Sequence, residues 1–186
     1  MLRTFIRIAL LSLLAVAISP AVILPAEAAS AREIDARVHE TLDRLFYKIR
    51  GARELAEKSV GLLVFPSVVK AGFAVGGEYG EGALLVRGRT VDYYNTVSAS
   101  FGFQLGVQER SVIIAFMTPE ALEQFRRTAG WKVGADASVA IITVGVGGSI
   151  DTNKISSPVV GFILDPKGLM YNLTLEGSKI SRINPR

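Results

Sequence analysis

The sequence predicts an α+β protein: a curved, largely antiparallel β-sheet or partial barrel of about eight strands, with an N-terminal helix and one inserted helix. Apolar residues recur at helical spacing after residue 30, and from residue 60 onward they alternate with a period of two. Glycines stand inside several of the alternating segments, where they permit bends and close approaches. The hydrophobic fraction of 49% and charged fraction of 20% are typical of a folded chain.

The first 28 residues have the pattern of a secretory signal peptide. Arg3 and Arg7 precede an apolar run over 8–18, and Ala26-Glu27-Ala28 forms a small-x-small cleavage motif. The alternative is a retained membrane anchor, but the run is shorter than the roughly 20 residues that a spanning helix needs. We expect cleavage after Ala28, which removes two arginines and one glutamate and lowers the formal charge from +4 to +3.

The composition limits where the protein can be located and which kinds of functional site it can contain. The chain contains no cysteine, which excludes disulfides, thiolate metal sites and a lipoprotein anchor. We therefore expect an exported protein, periplasmic or secreted, that attaches to membranes only peripherally. The basic residues are scattered and form no run of the kind that binds nucleic acid, so nucleic acid is not an expected partner.

Residues 29–58 are predicted to be a helical segment that packs on a β-rich domain over 59–186 as one unit. Ser30 and Glu33 have the spacing of a capping box. One apolar stripe follows, formed by Ile34, Val38, Leu42, Leu45 and Ile49. A short second helix is expected over 52–58, after Gly51.

Most later segments read as strands. We expect strands at 61–65, ended by Pro66, at 71–77, at 83–87, at 97–107 and at 110–117, with "GGEYGEG" as a turn. Thr118 and Pro119 are suited to begin the inserted helix, which Gly130 ends. A strand over 139–150 and a hairpin of 159–164 with 169–175 across "DPKG" complete the set. Only the 118–130 connection looks long enough for a parallel crossover.

No catalytic or metal-binding pattern stands out. The glycine-rich stretch lacks the lysine of a phosphate loop, and a strand rather than a helix follows it. A hydrolase that uses Glu78, Glu81 or Asp136 is a weak alternative, because a solvated turn explains the two glutamates better. His39, the single histidine, is expected on the helix surface, and Trp131 is expected to cover the core rather than to anchor at an interface. We expect no metal, no cofactor and no enzymatic activity.

The small residues of the stretch from Val64 to Val86 admit two interpretations. The bare faces at Gly72, Gly76 and Gly77 favour tight packing of helices on the sheet. Alternatively, they form a surface where lipid or a partner strand closely approaches the backbone.

Four ordered motifs resemble the SYLF domain family, also called the Ysc-type actin-binding domain family. They are "GLLVFPSVVKAGFAVGGEYGEGALLVR", "ASFGFQLGVQ", "VGADASV" and "DPKGLMYNLTLEGSKI", and the resemblance covers about Gly51 to Ile183. The chain departs from the family in "VDYYNTVSAS", where a Trp-Ser-Ala-Pro segment is common, and a lysine-rich actin contact is not evident.

The resemblance implies binding to anionic phospholipid at a membrane surface, with actin an unlikely partner of an exported chain. Lys70 matches the family's "KAGF" segment and suits contact with a lipid phosphate. Arg87, Lys167 and Lys179 lie near predicted turns and would extend a basic patch. The alternative function is an envelope structural or interaction protein that binds another protein through a sheet edge.

Overall fold

The computed structural model describes residues 29–73, 75–101, 106–143, 156–167, 175 and 177–186. Three helices are described: α1 (Ala31–Lys48), α2 (Ala52–Lys58) and α3 (Pro119–Arg127). The described strands are β1 (Gly61–Phe73), β2 (Val75–Val86), β3 (Arg89–Phe101), β4 (Gly106–Phe116), β5 (Trp131–Lys132), β6 (Ala140–Thr143), β7 (Val159–Lys167) and β8 (Lys179–Ile183). No helix of the described ranges is long and apolar enough to cross a bilayer.

The described strands form one curled sheet in the order β5-β8-β3-β2-β1-β4-β7-β6, which makes a half-barrel. Every pairing is antiparallel except that of β6 with β7. The predicted fold class is therefore confirmed. The expectation that only the 118–130 connection permits a parallel crossover is wrong, because β6 and β7, which follow that connection, pair in parallel.

The strand boundaries differ from the prediction in three places. Pro66 does not end β1, because the register shifts between Val64 and Ser67 and this bulge accommodates a residue without an amide hydrogen. The "GGEYGEG" stretch is the middle of β2 rather than a turn. The predicted strand 97–107 is divided between β3 and β4, which lie on opposite sides of the β1–β2 hairpin. The expected strands over 144–150 and 169–174 lie outside the described residues.

One face of the sheet is covered by α1. The predicted stripe is buried along its whole length, and it packs on a core cluster that includes Val64, Ala83, Leu85 and Phe162. Ser30 caps α1 by accepting a hydrogen bond from the Glu33 amide, as the capping box predicts. Beyond the start of α1, the same face stays open and exposes four apolar side chains: Val69, Tyr79, Val97 and Val107, which are 40–65% exposed.

The other face is covered by α3, and Trp131 of the edge strand β5 packs on this face. Trp131 is buried there and meets the Phe125 ring of α3 edge-on, with centroids 5.3 Å apart. The expectation that Trp131 belongs to the core is confirmed. Thr118 caps α3 by accepting from the Ala121 amide, and Pro119 occupies the first turn, where its missing amide hydrogen costs nothing.

Close packing of the backbone occurs at two glycines that the sequence did not single out. A Cβ on Gly82 would lie 2.0 Å from the Val64 carbonyl oxygen, and one on Gly80 would lie 2.7 Å from that of Ser67. Both sit opposite the bulge of β1, which pushes the neighbouring backbone toward β2. The bulge therefore requires glycine at these positions.

Candidate functional site

A cleft of about 800 Å³ lies between α3, the end of α2 and the β2–β3 hairpin. Its apolar floor is formed by Val60, Val86 and Leu122, which pack against the core of the α3 face. Its charged lining contains five cations against three carboxylates: Lys58, Arg87, Arg126, Arg127 and Arg182, with Glu57, Asp92 and Glu123. The cleft therefore combines an apolar base with a basic rim.

Asp92 organises the arginines of this rim. Its side chain is 3% exposed, and it pairs with Arg182 and, at 3.5 Å, with Arg126. Two cations thus surround one buried carboxylate, while the arginine side chains remain 49% and 67% exposed. Because a buried carboxylate holds their inner ends, the outer faces of both guanidinium groups stay available to a ligand.

A second groove of about 440 Å³ continues the basic surface past Arg126 and Arg182. It adds Lys179, an exposed residue at the start of β8, whose side chain lies over Gly130. A Cβ on Gly130 would come within 2.4 Å of Lys179 Cε, so this glycine makes room for the lysine. The described lining of this groove carries four cations and no carboxylate: Arg126, Arg127, Lys179 and Arg182.

Arg87 reaches the cleft because of the turn on which it stands. Arg87 and Gly88 both have positive φ, 53° and 73°, between the paired residues Val86 and Arg89. This is the pattern of a type I′ hairpin turn, in which asparagine and glycine are the favoured residues. An arginine in the first position is unfavourable for the backbone, and it places an exposed cation at the rim.

Lys70 lies elsewhere and is buried, with 8% of its surface exposed. It stands opposite Glu78 of β2 and Gln108 of β4, on the α3 face of the sheet. Nη2 of Arg110 donates to both Glu78 oxygens at 2.9 Å. Burial raises the pKa of the Glu78 carboxyl, and the nearby Arg110 and Lys70 cations counteract part of this effect. We call these three charged residues the buried cluster.

The remaining predicted residues are not brought to the cleft. Lys167 ends β7 opposite Glu109, and its side chain lies outside the description. Gly72 and Gly76 face each other across β1 and β2, next to the pair of Ala71 with Gly77. A Cβ on Gly77 would meet only the Ser98 carbonyl oxygen, at 4.0 Å, so the backbone there is open rather than closely packed.

The three carboxylates of the hydrolase alternative are separated. Glu78 and Glu81 point to opposite faces of β2, and Glu78 is buried, so the expected solvated turn is wrong. Asp136 accepts a hydrogen bond from the Lys132 amide at 2.6 Å in a turn. His39 is exposed on α1, as predicted, and its Nδ1 lies 2.7 Å from the Asp35 carbonyl oxygen.

Sequence reasoning missed the centre of the cleft. Arg126 and Arg127 lie in the last turn of α3, where cations commonly face the helix dipole, and Arg182 is 55 or more positions away in the chain. The only available signal was the excess of basic residues at the end of an otherwise amphipathic helix. Asp92, which joins the two segments, lies between the predicted strands 83–87 and 97–107, where the sequence pattern predicted no strand.

Comparison with known proteins finds one family match and several relatives. The family described as "Ysc84: Las17-binding protein actin regulator" matches residues 97–184, which include α3 and β8 with Arg182 but not Arg87 or Asp92. SH3 domain-containing YSC84-like protein 1 from Bos taurus and its counterpart from Rattus norvegicus are each 29% identical over 126 residues. The alignment covers 65% of this chain and 37% of each relative, so the chain spans little more than a third of their length.

Proposed function

We propose that this chain is a member of the Ysc84, or SYLF, family and an exported, non-catalytic domain that binds anionic phospholipid through the basic cleft. The family and its relatives support a lipid- or actin-associated binding role in general. The finer assignment to phospholipid rests on the cleft itself, and export rests on the signal-peptide pattern of the first 28 residues.

The observation that carries the proposal is the apolar floor beneath a rim of exposed cations. An anionic phospholipid presents a phosphate next to acyl chains, so its binding site needs both properties side by side. Arginine pairs with phosphate through two parallel hydrogen bonds, and Arg126 and Arg182 are oriented for this by Asp92. Each Lys or Arg near an anionic membrane surface contributes about 1 kcal/mol of binding free energy.

Vesicle co-sedimentation of residues 29–186 tests the proposal. We expect binding to phosphatidylglycerol-containing vesicles, weaker binding in high salt, and none to phosphatidylcholine alone. The triple variant Arg87→Gln, Arg127→Gln, Lys179→Gln should lower affinity roughly a hundredfold, since it removes three charges of about 1 kcal/mol each. It leaves both arginine partners of Asp92 in place, so the fold should be retained.

A matched control removes the same charge from α1 and the segment that follows it. The variant Arg32→Gln, Arg37→Gln, Arg50→Gln changes three exposed arginines that do not line the cleft. Equal losses in the two triple variants would indicate attraction by net charge alone and would contradict a specific cleft. The variant Lys70→Met is measured in the same assay. If this variant folds but does not bind vesicles, the lipid contact lies at the buried cluster and not in the cleft.

Binding of another protein is the second candidate, and one observation favours it. The open part of the α1 face exposes four apolar side chains on four consecutive strands of the sheet, β3, β2, β1 and β4: Val97, Tyr79, Val69 and Val107. The edge strand β5 has only two residues, so a contact through the open face is better supported than a contact through this edge. The family description names an actin regulator, so the expectation that actin is an unlikely partner has no support from it.

A further inference from the structure

We propose that Glu81 is the binding site for the α-ammonium group that processing creates at Ala29. The backbone nitrogen of Ala29 lies 3.1 Å from Glu81 Oε2. The other carboxylate oxygen accepts a hydrogen bond from the Tyr79 hydroxyl at 2.6 Å. The inference rests on the proposed export, because only cleavage of the Ala28–Ala29 bond turns this nitrogen into an amine.

The cleavage itself is a hydrolysis by an endopeptidase of the export pathway. One water is consumed: its hydroxyl joins the Ala28 carbonyl carbon, and its proton goes to the departing Ala29 nitrogen. The new Ala28 carboxyl group loses its proton, and the amine at Ala29 gains one at neutral pH. A neutral amide donor beside Glu81 is thereby replaced by an ammonium group with three donors.

The position of Ala29 is set by the structure that follows it. Ser30 caps α1 through its hydroxyl, and its carbonyl oxygen accepts from the Ile34 amide at 3.0 Å. The Ala29 side chain packs against the core beneath α1. The helix start fixes Ser30, and the core fixes the Ala29 side chain. The new amine at Ala29 is therefore held near Glu81 rather than released into solvent.

An ammonium group at this place needs a carboxylate. The first turn of a helix carries a partial positive charge, which disfavours a second cation. The surrounding groups are Glu81 and Tyr79 from β2, Asn95 from β3, Ser67 from β1, Glu109 from β4, Arg32 and Glu33 from α1, and the Arg186 carbonyl oxygen, which accepts from the Ala31 amide. The carboxylate in direct contact with the Ala29 nitrogen is that of Glu81.

Tyr79 contacts the same Glu81 carboxylate as the Ala29 nitrogen. Burial raises the pKa of the Tyr79 hydroxyl to about 12, and the hydrogen bond and negative charge of Glu81 contribute further. A carboxylate that acts on one neighbour in this way also acts on an amine at 3.1 Å. The mature N-terminus would therefore be tied to the sheet where α1 stops covering it.

The experiment uses the full chain, expressed with its own first 28 residues and recovered after export. Mass spectrometry identifies the N-terminal residue, and NMR of the ¹³C-methylated α-amine gives its pKa. We expect Ala29 at the N-terminus and an α-amino pKa about one unit above the usual value of about 8. Glu81→Gln should abolish the increase, whereas Glu109→Gln, a carboxylate of the same sheet face, should leave it unchanged.

A raised α-amino pKa also predicts how stability depends on pH. The stabilising contribution is complete below the unfolded pKa of about 8 and disappears as the pH rises through the folded value. Urea unfolding should show this loss in the wild type and not in Glu81→Gln. If Glu81→Gln does not fold, protein acetylated at Ala29 provides the comparison, because acetylation removes the charge and keeps one N–H donor.

The outcomes separate this inference from the export proposal. An Ala29 terminus whose pKa is the same in wild type and Glu81→Gln would overturn the inference and leave export intact. A processed terminus at another residue, or no processing, would overturn the export proposal together with the inference. Neither result depends on vesicle binding.

Discussion

The buried cluster and the basic cleft contain the same residue types but have opposite surroundings. Arg110 and Glu78 are 2% and 5% exposed, whereas Arg126 and Arg182 are 49% and 67% exposed. In the cluster, the cations meet a carboxylate within the protein, and the pair is shielded from water. In the cleft, buried Asp92 holds only the inner side of each arginine. Charge alone therefore does not identify a binding site; the exposure of the charge does.

This difference has an energetic basis. Desolvating an ion costs several kcal/mol, so a buried pair is tolerated only while both partners remain. An exposed pair contributes about 0–1 kcal/mol and is easily broken. The two regions should therefore respond very differently to the loss of one cation.

The largest effect is expected from Arg110→Met. Removing the guanidinium leaves Glu78 buried without its main partner, which should lower the free energy of unfolding by about 3–5 kcal/mol. The matched cleft variant Arg127→Met breaks an exposed pair with Glu123 and should cost less than about 1 kcal/mol. Urea denaturation followed by circular dichroism measures both.

The double variant Glu78→Leu, Arg110→Met is the control for this interpretation. Replacing both charges by apolar side chains removes the unpaired carboxylate and should recover most of the lost stability. A double variant as unstable as Arg110→Met would show that packing rather than charge pairing accounts for the loss.

An intermediate effect is expected at the glycines of β2, which compare the closely packed part of the strand with its open part. Gly82→Ala places a Cβ 2.0 Å from the Val64 carbonyl oxygen and should cost about 2–3 kcal/mol. Gly77→Ala meets nothing closer than 4.0 Å and should change stability by less than about 1 kcal/mol. Thermal unfolding of the two variants measures the contrast. Equal destabilisation would contradict the assignment of Gly82 as the close contact.

The smallest effect is expected at the cleft rim. Arg87→Asn suits the positive φ of the type I′ turn and should stabilise the protein by about 0.5 kcal/mol. The same change removes one rim cation and should weaken vesicle binding several-fold. A higher unfolding temperature together with weaker vesicle binding would indicate that Arg87 strains the backbone of the turn and contributes a cation to lipid binding. A loss of stability would contradict the turn assignment.

The sequence predicted the parts of the fold that depend on local chemistry. The α1 stripe was read correctly because burial on one face of a helix requires apolar residues at a spacing of three or four. The caps at Ser30 and Thr118 were found because the capping side chain lies within three residues of its partner. The long strands were misjudged where Pro66 and the glycines of β2 looked like breaks, because a bulge and close strand packing involve two strands at once.

For the candidate site, too, local patterns identified some residues and missed those that only strand pairing brings together. Arg87 and Lys179 were named from their position near turns, and the structure places both on the basic surface. Lys70 was named from the resemblance, yet the pairing of β1 with β2 and β4 buries it beside Glu78. Arg126 and Arg182 were missed because only the folded sheet brings the end of α3 to β8.

By itself, the sequence determined the fold class, the helix starts and the absence of cysteine chemistry, and it contained the motifs that resemble the SYLF family. These properties depend on residue type and on spacings within one segment. Only the tertiary structure decided which cations are buried, which glycines must stay glycine, and which distant arginines share one carboxylate. Burial and contact depend on the register between strands that are far apart in the chain, and no local pattern records that register.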